Sequence, residues 1–145
     1  MGCDIHLWAE GKRNGRWEPI GRMTYVGYWD GEEEKTRIGV SDFDIGRNYY
    51  LFSIMAGVRG YGDVKPIAER RGLPEDCCKL IVDASEDYGI DGHSPSFLYL
   101  KELQDNKDRL IEAQSSFDEH ITTLLASMVD KHKLDDARIV FFFDN

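Results

Sequence analysis

The sequence predicts an α+β domain in which N-terminal β-hairpins and a C-terminal central strand form one sheet packed by three helices. Three observations carry this prediction. Residues 3–10 alternate, with Cys3, Ile5, Leu7 and Ala9 on one side and Asp4, His6, Trp8 and Glu10 on the other. Residues 138–143 are almost wholly apolar and β-prone, as a central strand requires. Leu110, Ala113, Phe117, Ile121, Leu124 and Met128 recur at spacings of 3, 4, 4, 3 and 4, the stripe of an amphipathic helix.

The elements follow in order. The alternating segment reads as a half-buried strand, and Asn14-Gly15 as its hairpin turn, because both residues tolerate positive φ. Arg16 to Ile20 is the returning strand, and Pro19 marks it as an edge. A second hairpin runs from Thr24 to Trp29, turns at Asp30-Gly31 and returns from Lys35 to Val40; the Glu32, Glu33, Glu34 run is a solvated tip. Asn48 caps a short helix through Ala56, with Gly57 as the stop. Pro74 opens a second helix whose inner face is Cys77, Ile81, Ala84 and Tyr88, ended by Gly89. Residues 89–96 read as a polar loop and Phe97 to Leu100 as a short extended piece, before the long helix and the last strand.

Composition bounds the function. The 145 residues are 41% hydrophobic and 12% aromatic, which excludes low-complexity disorder. A single domain over 1–145 is expected, with a core that needs no staples. No run of apolar residues is long enough to span a membrane, and Asp4, His6 and Glu10 interrupt any secretory leader. The net charge of −9 disfavours a duplex nucleic-acid surface but leaves room for a local basic pocket. Cys3, Cys77 and Cys78 form neither a disulfide framework nor a zinc finger, so a reduced, cytoplasmic setting is expected and the thiols read as packing residues.

Two short segments carry chemistry. Cys3-Asp4-Ile5-His6 opens the first strand, and period two puts Asp4 and His6 on one face, about 6.5–7 Å apart. Asp91-Gly92-His93-Ser94-Pro95-Ser96 is the second. Together they hold two copies of Asp-x-His, a set that suits a divalent Zn, Mn or Mg ion or acid–base work near neutral pH. Either segment alone also reads structurally, as an Asx-turn, a cap or a surface histidine. His120 and His132 are assigned to structure. Between the two segments, Arg59, Lys65, Arg70 and Arg71 face only Asp63 and Glu69, with Tyr61 among them. Guanidinium groups clasp phosphate and a ring stacks on a base. The competing reading pairs these arginines with Asp83, Glu86, Asp87 and Asp91. The glycine-rich 57–62 segment matches neither a Walker loop nor a dinucleotide fingerprint.

The opening Met1-Gly2-Cys3-Asp4-Ile5-His6 resembles the signature of a family of short, largely uncharacterised proteins of phages and prophages. Arg47-Asn48-Tyr49, Leu51-Phe52, Ala56-Gly57-Val58-Arg59, Arg71-Gly72-Leu73-Pro74, Asp91-Gly92-His93-Ser94, Arg138-Ile139-Val140 and Phe143-Asp144-Asn145 extend the resemblance over nearly the whole chain. The family pattern has a second histidine after Ser94, where this chain has Pro95, which weakens a three-histidine site. The resemblance implies a phage setting in the host bacterial cytoplasm and the pocket residues Asp4, His6, Arg47, Arg59, Arg71, Asp91, His93 and Ser94; it supplies no reaction.

Three functions follow as expectations. In the first, the chain binds a phosphorylated, nucleotide-like molecule through His6, Arg47, Arg59, Tyr61, Arg71, His93 and Ser94, and a phage could use it to sequester a host immune signal. In the second, Asp4, His6, Asp91 and His93, joined by Asp144, hold the metal of a phosphoesterase. In the third, the acidic surface inhibits a host enzyme. The first two require the opening strand and the segment after Gly89 to close around one hollow. The apolar last strand and second hairpin also allow a homo-oligomer.

Overall fold

The computed structural model describes residues 2–60 and 62–145. Six strands and a set of short helices alternate irregularly, as expected for α+β. Strand β1 (Asp4–Arg13) turns back into β2 (Arg16–Ile20) through Asn14 and Gly15, whose φ of 51° and 81° are the positive values this tight turn needs. The last strand, β6 (Asp136–Asp144), lies between β1 and β5 (Gly92–Tyr99), giving an antiparallel sheet ordered β2-β1-β6-β5. The apolar run at 138–143 is therefore central, and Pro19 sits on an edge strand.

The second hairpin, β3 (Met23–Asp30) and β4 (Glu33–Val40), does not join this sheet. It forms a separate two-stranded ribbon, so of the two hairpins only the first contributes to the sheet. Its strands pair only with each other, from Met23 opposite Val40 to Asp30 opposite Glu33. No alternation in sequence distinguishes a ribbon that protrudes from one that adds to an existing edge.

Helix α1 (Tyr49–Ala56) follows the sequence reading closely. The Asn48 side chain accepts from the Leu51 amide at 3.0 Å, and Gly57 ends the helix at φ 69°. Its Leu51, Phe52 and Met55 pack with Leu7, Ala9, Ile139, Phe141 and Phe143 of the sheet. The expected long helix is broken into α3 (Leu100–Asp105), α4 (Lys107–Ala113) and α5 (Ser115–Phe117), the last running through a π turn at Asp118–Thr122 into α6 (Thr123–His132). Asn106 and Gln114 leave helical geometry at the breaks. The wider π turn shifts the register of the stripe, so Leu125 is buried where Leu124 was expected to be.

Helix α2 (Lys79–Glu86) packs on the opposite face of the sheet, so the three expected helical regions do not share one layer. It begins later than Pro74 because the Cys78 amide donates to the Glu10 carboxylate at 2.7 Å, fixing Cys78 in extended geometry. Ile81 packs here with Trp8, Val140 and Phe142. This layer buries what the alternation marked as a wet face of β1: Trp8 and Glu10 are both inaccessible to solvent. The expected loop at 89–96 is a 3-10 turn (Gly89–Asp91) followed by strand, with a register break between His93 and Ser96. Pro95 lacks an amide proton, and the break accommodates it at the sheet's edge.

Candidate functional site

At one end of the sheet, Asp4, Asp144 and Gly92 lie side by side in register. His6 pairs with Phe142 on the face that carries α2, and its ring lies 5.2 Å from the Phe142 ring. Asp144 points to the same face and holds His6 Nε2 at 2.5 Å. The Tyr88 hydroxyl lies 3.1 Å from Nδ1, and the Asp42 carboxylate 3.6 Å from it. Burial, then Asp42, Asp144 and Asp87, push the Tyr88 phenol above its ordinary value. In a neutral ring, a hydrogen bond donated by the Tyr88 hydroxyl to Nδ1 would place the ring proton on Nε2, facing Asp144. His6 lines a cavity of about 330 Å³ with Asp4, Asp42, Asp44 and Arg47. Arg47 is committed there: its Nε and Nη2 donate to one Asp4 oxygen at 3.0 and 2.9 Å. A side chain at Gly2 would meet that guanidinium at 2.6 Å and push the flexible Arg47 aside.

His93 lies on the other face. It pairs with Phe143, whose side chain points away from that of Phe142, and the two rings stack 6.2 Å apart. Its Nδ1 lies 3.0 Å from the Ser94 hydroxyl and its Nε2 3.2 Å from Asn145 Oδ1. Arg70 Nη1 donates to Ser94 Oγ at 3.2 Å, and Arg59 Nη2 donates to Asn145 Oδ1 at 3.4 Å. These five side chains make one connected cluster. Its backbone is strained at two points, Arg59 at φ 53° and Ser94 at φ 54°. The fold supplies the cations deliberately. Arg70 Nε and Nη2 reach the Ala56 and Gly57 carbonyls, where the α1 dipole favours positive charge, and the Arg59 guanidinium lies 5.6 Å over the Tyr49 ring.

The expected residues thus divide. Arg59, His93 and Ser94 come together. His6 does not join them, because β6 lies between the two imidazoles and each lines a cavity of its own. Arg71 is held elsewhere: both its terminal nitrogens bind Glu102, at 2.7 and 2.6 Å, and Nη1 also donates to the Phe97 carbonyl. The guanidinium keeps the Glu102 carboxyl below its ordinary range. Tyr61 lies outside the described residues. The metal quartet is not assembled: Asp4 is spent on Arg47, Asp91 is exposed in the 3-10 turn, and the histidines face opposite ways. Among the described residues, no three His, Cys, Asp or Glu side chains are arranged to hold an ion. The acidic stretch at 83–91 takes Arg37 through Asp87 at 2.6 Å, while Arg71 pairs with Glu102.

Two parts of the site escaped sequence reasoning. Arg70 stands among the basic residues of the 59–71 segment but not in the expected ligand set, and Asn145 only marks where the last strand ends. Neither role is visible until the segment at 70–72 lies along the edge of β5, where the Gly72 amide donates to the Pro95 carbonyl at 2.9 Å and the Arg71 amide to Ser96 Oγ at 3.1 Å. A buried ionic network was also unforeseen. Arg138 binds Glu10 at 2.6 Å and Asp76 at 3.0 Å, with its guanidinium 3.8 Å over the Trp17 ring. Comparison with protein-family models, curated proteins and solved structures found no match in any of the three.

Proposed function

We propose that the chain is a small-molecule-binding protein that captures a phosphorylated, nucleotide-like ligand at the Arg59–Arg70–His93–Ser94–Asn145 cluster. One observation supports this above the others. The bonds of Arg70 go to neutral oxygens, those of Ala56, Gly57 and Ser94. Arg37, Arg47, Arg71 and Arg138 are each neutralised by a carboxylate. In a chain of net charge −9, a cation fixed in place without a carboxylate is an anion site of short range. Phosphate oxygens would take hydrogen bonds from Arg70, Arg59, the Ser94 hydroxyl and a ring nitrogen of His93. The resemblance to phage proteins adds a setting in which capture of a host immune nucleotide would be useful.

Calorimetric titration with adenosine monophosphate, a cyclic dinucleotide and inorganic phosphate tests this reading. Binding of at least one, weakened about tenfold or more in Arg70→Ala, is expected for a charged hydrogen bond. Absence of binding to all three, or equal affinity in the variant, removes the site.

A further inference from the structure

We infer that the outer face of the β3–β4 ribbon is a docking surface for a second copy of this chain, stacked face to face and antiparallel. The inner face is fixed. Arg37 lies 4.9 Å over the Tyr28 ring and binds Asp87 and the Asp83 carbonyl of α2. Cross-strand register then puts Met23, Tyr25, Gly27 and Trp29 on the outer face with Glu34, Thr36 and Ile38, while Val40, opposite Met23, turns into the core beside Trp8. Met23 is 51% exposed, Tyr25 79%, Trp29 69% and Ile38 55%. Half of the large exposed apolar side chains among the described residues therefore lie on one ribbon face. Beside Gly27, between Tyr25 and Trp29, the Glu34 carboxylate comes within 3.8 Å of where a side chain would begin.

Area and charge select the occupant. The four side chains present roughly 600 Å² per copy, so a symmetric pair buries roughly 1,200 Å², the lower bound of a stable specific interface. The structure exposes 8424 Å², against about 7,600 Å² for a compact chain of this mass, and covering the ribbon removes most of that excess. The tip carries Asp30, Glu32, Glu33 and Glu34 against Lys35, while Arg22 stands exposed at the base. Antiparallel stacking sets each acidic tip beside the other copy's Arg22. It also parts the two tips by about 25 Å, beyond the screening length at physiological salt. A parallel stack would abut them. The same two-fold axis passes near Gly27 and Thr36, so each copy presents the same patch to the other.

Sedimentation of the full chain at tens of micromolar tests the inference, combined with two cysteine variants. The wild type should sediment as a dimer, and Ile38→Glu should sediment as a monomer with an unchanged circular dichroism spectrum. Thr36→Cys should oxidise to a covalent dimer, whereas Glu32→Cys should not. A monomeric wild type, a dimer that survives Ile38→Glu, or cross-linking at position 32 in place of 36 would overturn it. So would a different protein found on the ribbon of a monomeric chain.

Discussion

Asp144 holds the imidazole of His6 at 2.5 Å on one face of the sheet, while its neighbour Asn145 meets His93 on the other. Consecutive residues of a strand point to opposite sides, so the end of β6 serves two separate histidines. The His6 side is acidic and structured around a fixed ring. The His93 side is cationic and connected. That separation is why the functional proposal rests on one histidine.

For His6, the bond from Tyr88 to Nδ1 predicts the Nε2–H tautomer of the neutral ring. Nitrogen NMR in mildly alkaline solution reads this directly, and an Nδ1–H signature would contradict it. Asp144→Asn keeps the shape but loses charge assistance, and should cost about 1 kcal/mol in denaturant unfolding.

The Glu10–Arg138 pair is wholly buried, and Arg138 Nη2 has no partner. Removing the Glu10 charge leaves the buried Arg138 with only the exposed Asp76 as its counter-ion. Glu10→Gln is expected to destabilise by about 3 kcal/mol, while Glu10→Leu combined with Arg138→Met should recover most of that loss. Urea unfolding of the three proteins decides between this network and an inert one.

Glu102 titrates below its ordinary range because Arg71 binds it. The sign follows: a carboxyl depressed in the folded state stabilises above its unfolded pKa, and that stability is lost as pH falls through the folded value. Wild type should therefore melt higher than Glu102→Gln at neutral pH. The two should converge in acid, below about pH 4. A gap that is constant with pH would contradict the ion pair's role.

Much of the fold was legible because short-range rules govern it. Asn14-Gly15, Asn48, Gly57 and the apolar run to Phe143 each announce a turn, a cap, a stop and a buried strand without help from elsewhere. What was hidden depends on tertiary partners. Glu10 looked solvated because nothing in β1 reveals that α2 covers it. The first half of the 92–99 strand reads as a loop because Ser94 and Pro95 break its register at an edge, while Phe97 to Tyr99 read as extended. The site was half legible for the same reason: Arg59, His93 and Ser94 carry distinctive chemistry, but Arg70 gains its place only from the carbonyls of α1. Period two could place His6 relative to Asp4; it could not say which face of a distant strand His93 would take.

Caps give a further check on that local logic. Asn48 accepts from Leu51 and its amide donates to the Ala113 carbonyl at 2.9 Å, tying α1 to α4. Asn48→Ala should cost about 1–2 kcal/mol, and Asn48→Asp less, since the cap survives and only the tie is lost. Equal losses in thermal melts would assign the whole effect to the tie.

The most direct test of the binding site is mass spectrometry of small molecules released when the purified protein is heat-denatured, run beside Arg59→Ala combined with Arg70→Ala. The account predicts a phosphorylated nucleotide in near-equimolar amount from the wild type and its loss from the variant. No phosphorylated molecule from the wild type, or the same amount from both proteins, would contradict it.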